Sequence, residues 1–442
     1  MTVASQRTRK VLFGSASMLA ARLFSVVVSL VSVGVLTRQL GRDEFGLWSV
    51  IGVFVGFAGS FDFGLGQGMR NRLAVLEARD EETEKEQQEL FFSVLTFLVV
   101  LALIVAVLLG NLSLLVPWAT VLGVRDPALI GPAHAATTAV IILLLLNLPL
   151  TLNLAGFLAY QEAAQRSLFD ALQSLALLVG VLLFAPTLAI AQFIGVYYLL
   201  FDLAAFVALV AFIRRRHWRV IFIPWQLIIF NVRAVSGSSL LFWVLGTASI
   251  TLFTADPLIA ARVAGIGQAG DFSVIQKIVV LLITIHFTLL TPLWSAYTHA
   301  GEKNDWLWID RSFKRSIVIT VFLFVFGGII AVYLHGPLLK IWTGREMSNP
   351  TLMASLAIWA AVFAWVNCYS VLLNSLNMIS LQTTVVVFCA IAHVFVSFAL
   401  GRRFGVVGVV WGSTLCLLPL VISNTLQVHR LFVQKRLEGV LK

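Results

Sequence analysis

Twelve apolar runs, each of about 20 residues or more, follow one another along the chain, at about 11–36, 45–68, 90–110, 131–156, 167–188, 190–213, 237–260, 269–297, 314–339, 351–376, 380–400 and 405–430. Each is long enough to cross a hydrocarbon core of roughly 30 Å. The runs are continuous rather than alternating, which predicts helices and leaves no room for a β-barrel. Inside three of them polar residues recur at helical spacing. Ser15, Arg22 and Ser29 are spaced by seven in the first run, with Ser25 and Ser32 on the adjoining flank. Lys277, Thr284, Thr288 and Thr291 share a narrow arc of the eighth, and Asn367, Ser370, Asn374 and Asn377 form a stripe on the tenth. Arg22 stands eleven residues into its run, roughly 16 Å deep at 1.5 Å per residue. A charge at that depth is costly and faces a bundle interior or an aqueous cavity. Two readings stay open: the stripes line a binding cavity, or the hydroxyls permit close helix packing and the cations are structural counter-ions.

Composition agrees with a bilayer protein, since 60% of the 442 residues are hydrophobic and only 12% charged. With the N-terminus inside, 21 of the 31 Lys and Arg residues fall in inside loops and termini and 8 outside, leaving Arg22 and Lys277 within spans. That bias predicts both termini on the cytoplasmic side, and it accounts for most of the +10 net charge. The basic run Arg214, Arg215, Arg216 and Arg219 fits the same rule and anionic lipid, so no nucleic-acid partner is expected. Cys368, Cys389 and Cys416 lie within spans and lack metal-ligand spacing, so neither a disulfide framework nor a zinc site is indicated and no cofactor is expected. The first run is too long for a signal-peptide core and holds Arg22, which predicts an uncleaved first span. The acidic stretch 70–89 predicts a solvated helix extension into the third span.

A short signature occurs twice. Arg38, Gly41, Gly46, Trp48, Ser49, Val50 and Ile51 recur 224 positions later as Arg262, Gly265, Gly270, Phe272, Ser273, Val274 and Ile275. An offset near half the chain predicts two similar six-helix lobes, 1–213 and 237–442, joined by a cytoplasmic interfacial linker at 214–236. Six helices per half is an even number, so the lobes should be related by an axis along the membrane normal. Gly41 with Gly46, and Gly265 with Gly270, bracket the predicted outer turns and are candidate hinges or merely tight-turn residues.

Buried acids are few. Asp202 lies roughly 18 Å into the sixth run and is a candidate proton or sodium site, or the structural partner of a nearby Tyr or Arg. Asp62, Asp170 and Asp256 sit nearer the ends of their runs, Asp256 just before Pro257. His134, His286, His335 and His393 lack partners in sequence and read as packing or interface residues.

The segment Leu40-Gly41 through Phe45-Gly46-Leu47-Trp48, followed by Asp62-Phe63-Gly64-Leu65-Gly66, carries a resemblance. So do Ala159-Tyr160-Gln161 and Leu338-Leu339-Lys340-Ile341-Trp342-Thr343-Gly344. In order and spacing they resemble the polysaccharide (O-antigen, capsule and exopolysaccharide) flippases of the multidrug/oligosaccharidyl-lipid/polysaccharide (MOP) exporter superfamily. The resemblance implies an all-α integral membrane fold of about twelve helices in two pseudo-symmetric lobes forming a MATE-like V, with helices one, two, seven and eight lining a cavity. It implies a non-enzymatic flippase of the bacterial inner membrane that moves a polyprenyl-pyrophosphate-linked glycan to the outer leaflet by alternating access. Its implied partners are membrane lipids, a polysaccharide polymerase and a chain-length regulator. Cavity cations would meet the pyrophosphate, a role carried here to Arg22 and Lys277. Ser25, Ser29, Thr284, Asn367 and Asn374 would line the cavity, and Asp202 is the candidate coupling residue. A cation-coupled multidrug or metabolite antiporter on the same fold is the alternative. A membrane glycosyltransferase or polymerase would call for a large outer loop or an acid/His constellation, and the sequence has neither.

Overall fold

A computed structural model describes the backbone of residues 3–58, 62–77, 79, 83–236 and 239–439. Side-chain surroundings are described for all of these except 3–19, 22, 58, 239–242, 245 and 295. Every element among the described residues is helical. In chain order they are α1 (Val3–Gln39), α2 (Arg42–Ile51), α3 (Val53–Ala58), α4 (Leu65–Glu77), α5 (Glu84–Ser113) and α6 (Trp118–Val121). Next come α7 (Pro127–Asn147), a 3₁₀ turn (Leu148–Thr151), α8 (Leu152–Ala159), α9 (Ala163–Phe184), α10 (Ile190–Arg215) and α11 (Trp225–Ser236). The chain ends with α12 (Ser239–Thr254), α13 (Asp256–Ala264), α14 (Ile266–Glu302), α15 (Trp306–Thr343), α16 (Pro350–Ser375) and α17 (Ser380–Leu437).

All twelve predicted spans meet helices, yet only eight helices among the described residues are long and apolar enough to cross a membrane unbroken. Two breaks and a fusion account for three of the four, and the first span is represented among the described residues only by its stretch Leu23–Gln39. The second span is cut at Gly52 and again at Asp62–Gly64, where Phe63 has φ 51° and Gly64 φ 76°. Asp62 closes that turn: its two carboxylate oxygens accept from the N–H groups of Gly64 (2.8 Å) and Gly66 (3.2 Å) at the start of α4. The seventh span restarts at Asp256, with Pro257 in the first turn of α13, where its missing N–H costs nothing. The fourth span loosens into the 3₁₀ turn at Pro149. The eleventh and twelfth run together as α17, bent at Gly405 (φ 63°, ψ −150°). In the acidic stretch, α4 continues to Glu77 and α5 begins at Glu84, so helix reaches into it from both neighbours, and 78 and 80–82 lie outside the described residues.

By contacts the chain divides into Met1–Thr247 and Ala248–Lys442, so the segment 214–236 groups with the first unit. In the first unit α1 lies along α9, α10 packs on α7 and α9, α5 on α7, and α11 on α5 and α4. Its aromatic core gathers Phe91, Phe92, Phe157, Phe212 and Trp218, with Phe91 5.3 Å from Phe212 and 5.4 Å from Trp218 between ring centres. In the second unit α16 is the central helix, packed on α14, α15 and α17, while α13 packs on α14 and α17.

The repeated signature adopts the same local structure in both units, a helix end, a tight turn and a new helix. Gly41 precedes α2, and Glu44 Oε2 accepts from its N–H at 2.9 Å. Gly265 joins α13 to α14 at φ 96°, ψ 160°, backbone angles that a side chain would forbid. Gly46 and Gly270 lie one turn inside α2 and α14 and are buried.

Candidate functional site

The cations expected in the binding site stand on two long helices. Arg22 lies within α1, and its side chain is outside the described residues. Lys277 is twelve residues into α14 and half-buried, and no hydrogen bond or ion pair holds its ammonium among the described residues. The polar arcs around them divide. Ser25 bonds Ser174 of α9 at 2.8 Å, so its hydroxyl fastens α1 to α9, whereas Ser29 on the same helix is exposed. Thr284 is buried and donates back to the Val280 carbonyl at 2.8 Å, a helix-internal bond. Asn367 donates to the Phe363 carbonyl at 3.1 Å. Asn374 is half-buried, and its Oδ1 has no donor among the described residues. Thus Lys277, Ser29 and the Asn374 carbonyl keep polar capacity to spare, while Ser25 and Thr284 use theirs within the helix packing.

The acids behave differently from the lysine. Asp202 of α10 is 8% exposed, and Asn147 at the end of α7 donates to its Oδ1 at 2.8 Å. That contact sits at the 3₁₀ turn, where Pro149 interrupts the α-helical bonding. Asp256 is fully enclosed by His393 and Ser413. Every acid within the apolar helices named here therefore has a hydrogen-bonding partner, and the described cation does not.

Sequence reasoning passed over these partners. Asn147, a lone amide two residues before Pro149 in an apolar run, was the available signal for the Asp202 contact. His393 was visible only as an isolated imidazole, because its partners lie 137 and 20 positions away.

A second polar structure gathers residues of three connections. Tyr160 donates to Gln87 Oε1 at 2.5 Å, Gln87 reaches Thr83 Oγ1 at 2.9 Å, and Arg216 stacks 3.4 Å over the Tyr160 ring while pairing with Glu162 at 3.0 Å. Burial raises the Tyr160 pKa well above the usual phenol range, with Arg216 opposing, so the hydroxyl stays a donor. A polar cavity of about 840 Å³ adjoins this network, lined among others by Arg79, Lys85, Arg215 and Glu84.

No family model matches the chain. Among curated proteins it is 21% identical over 198 residues to a putative O-antigen transporter of Salmonella typhi. That match takes in 44% of this chain and 46% of the relative, so it spans about half of the curated protein's length. Solved structures match far more of the chain. The inward-facing conformation of a multidrug resistance MATE family transporter of the MOP superfamily aligns over 94% of this chain and 98% of its own, with TM-score 0.71 and 15% identity. The lipid II flippase MurJ in an inward closed conformation aligns over 93% and 87%, with TM-score 0.74 and 11% identity. At these identities the likeness concerns the fold, and these neighbours are transporters and a flippase rather than enzymes. The chain is an all-α, multi-span membrane protein that shares its fold with this MATE transporter and with the lipid II flippase.

Proposed function

We propose that this chain is a flippase that moves polyprenyl-pyrophosphate-linked oligosaccharide repeat units from the cytoplasmic to the outer leaflet of a bacterial inner membrane. The observation that carries the reading is the charge left over inside the apolar helices. Lys277 has no anionic partner among the described residues, whereas Asp202 and Asp256 are both engaged. A cation held unpaired among apolar helices is expensive unless a ligand compensates it, and a pyrophosphate supplies the matching charge. Organic-cation substrates would call for an unengaged carboxylate instead, which makes the multidrug antiporter the weaker reading. The partial match to a putative O-antigen transporter supports the same substrate class.

In this reading the head group, which cannot cross hydrocarbon without losing its hydrogen bonds, exchanges water for Lys277, Arg22 and uncommitted groups such as Ser29 and Asn374. Arg22 supplies paired N–H donors to the phosphate oxygens and Lys277 a point charge. Alternating access moves the site between leaflets, with the turns at Gly41 and Gly265 as equivalent elbows and Asp202 as the coupling residue. Both termini face the cytoplasm, and a polymerase and chain-length regulator act downstream. In the producing bacterium, deletion of the gene should abolish surface polysaccharide and leave lipid-linked repeat units inside. Normal surface polysaccharide in the deletion strain would refute the assignment. Arg22→Ala should abolish rescue by the inserted protein and Arg22→Lys should keep part of it; full rescue by the alanine variant removes Arg22 from the site.

A further inference from the structure

Helix α17 folds back on itself at Gly405, where its two arms form a hairpin, and the second arm turns one long face outward. Pro419, Ile422, Leu426 and Arg430 follow one another at steps of three or four residues, so they share that face. With Met378 and Leu381, at the start of the hairpin, they line a groove of about 640 Å³. The two walls are tied together. Asn377 takes a left-handed turn at φ 59°, and Gln427 donates to the carbonyl of the next residue, Met378, at 3.3 Å.

The chemistry changes along the groove. Leu381, Ile422 and Leu426 are apolar and exposed, and Pro419 lies at the deep end. Two polar side chains of the lining spend their donors within α17: Ser423 on the Leu420 carbonyl at 3.3 Å and Gln434 on Glu438 at 2.9 Å. Arg430, at the mouth, is exposed and has no hydrogen bond or ion pair among the described residues. No acid stands among the described lining residues. The helix ends at this level, 302–315 and 430–438, carry seven Lys and Arg against four Asp and Glu, and Lys435 lies 4.9 Å from the Trp306 ring. The length is telling as well. Arg430 and Pro419 are eleven residues apart, roughly 16 Å at 1.5 Å per residue, which is about half of a hydrocarbon core of roughly 30 Å. The groove is therefore as deep as one leaflet, apolar along its depth and positive at its mouth.

We propose that this groove binds one anionic phospholipid, with its phosphate on the Arg430 guanidinium and one acyl chain along Leu426, Ile422 and Pro419. Guanidinium offers paired N–H donors that match phosphate oxygens. Within a bilayer the chain gains nothing from leaving water, because the surrounding tails are equally apolar. Retention then comes from van der Waals fit between the two walls and from the charge at the mouth. A face that merely borders bulk lipid would take any lipid alike.

Native mass spectrometry of the full-length protein, stripped of lipid in detergent and titrated with phosphatidylglycerol or phosphatidylcholine, separates these cases. The first phosphatidylglycerol should bind more tightly than the first phosphatidylcholine. Arg430→Gln should weaken phosphatidylglycerol about 10- to 100-fold, the loss of one charge-assisted hydrogen bond. Arg436→Gln, the same charge change at an exposed position of α17 outside the groove, should leave it unchanged. Leu426→Trp, which fills the groove, should weaken both lipids; Ile422→Trp takes its place if that variant fails to fold. Equal affinity for the two lipids overturns the proposal, as does an equal loss in Arg430→Gln and Arg436→Gln. Undiminished binding in the filled variant overturns it too, and dimers that Leu426→Trp dissolves without touching lipid binding would give the groove to a second copy of the chain. The probes are phospholipids without a glycan, so this inference and the flippase reading fail independently.

Discussion

At position 412 the α17 hairpin has space for a hydrogen and nothing larger. A Cβ there would come within 2.4 Å of the Ser397 Cα, which is backbone and cannot swing aside. Gly412→Ala should therefore cost about 1–3 kcal/mol of stability, the range for an overpacked core. Gly195→Ala in α10, where nothing lies within 4 Å, should be neutral or slightly stabilising. Thermal unfolding of the two purified variants checks this; equal melting temperatures would mean that the hairpin yields at 412. Lys277 supplies the second residue-scale test. A charge-assisted hydrogen bond contributes roughly 1.5–3 kcal/mol, so Lys277→Ala should reduce transport about 10- to 100-fold, while Lys277→Arg keeps the charge and most of the activity. Undiminished transport in the alanine variant would show that the ammonium meets no substrate. The place of Lys277 within an apolar helix was legible from sequence because a cation in an apolar run announces itself. The Asp256 cluster was not, because its members come from three helical stretches and only packing brings them together.

Helix existence was written in the apolar runs, and helix continuity was not. Hydropathy averages over a window and is blind to a single carbonyl or amide, so it could not distinguish the unbroken α14 from the broken second span. Comparing the two signatures explains one difference. Gly52, which ends α2, stands at the position equivalent to Gln276, and α14 runs on through it for 37 residues in all. Each unit also holds one broken span that restarts beside an aspartate, Asp62 before α4 and Asp256 at α13. Carboxylates are favoured at helix N-termini, where the free N–H groups and the helix dipole are positive. The 3₁₀ turn beside Asp202 is open to test at this scale. If Asp202 only holds Asn147, then Asn147→Ala should cost roughly 1–3 kcal/mol by orphaning the carboxylate, and Asn147→Leu with Asp202→Leu should restore both stability and transport. If Asp202 couples transport to an ion, the double variant regains stability and remains inactive. Melting curves and polysaccharide rescue, measured on the same variants, tell these apart.

For the whole molecule, the half-length repeat predicts two related halves, but seven matching positions in a fourteen-residue window say nothing about where one unit stops. The contact boundary falls after Thr247, inside α12, because α11 packs on α4 and α5 and Trp218 joins the aromatic core of the first unit. In this basic, Pro- and Trp-containing stretch, which reads in sequence as a linker, Trp218, Ile223, Ile228 and Val235 are buried in the first unit's core, while Val220, Phe222 and Phe230 are exposed. The proposed function makes the motion of the two units its central requirement. If they rock about the turns at Gly41 and Gly265, cysteine pairs with one member in each unit should crosslink across the outer mouth in one state and the inner mouth in the other. The free native cysteines, Cys368, Cys389 and Cys416, are buried and would first be replaced. Gly265→Ala should suppress the exchange as well, since φ 96° is open to glycine and strained for alanine, whereas Gly41→Ala, at φ −60°, should be tolerated. Pairs that crosslink equally on both sides under every condition, or exchange that survives Gly265→Ala unchanged, would remove the elbow at Gly265 from the mechanism.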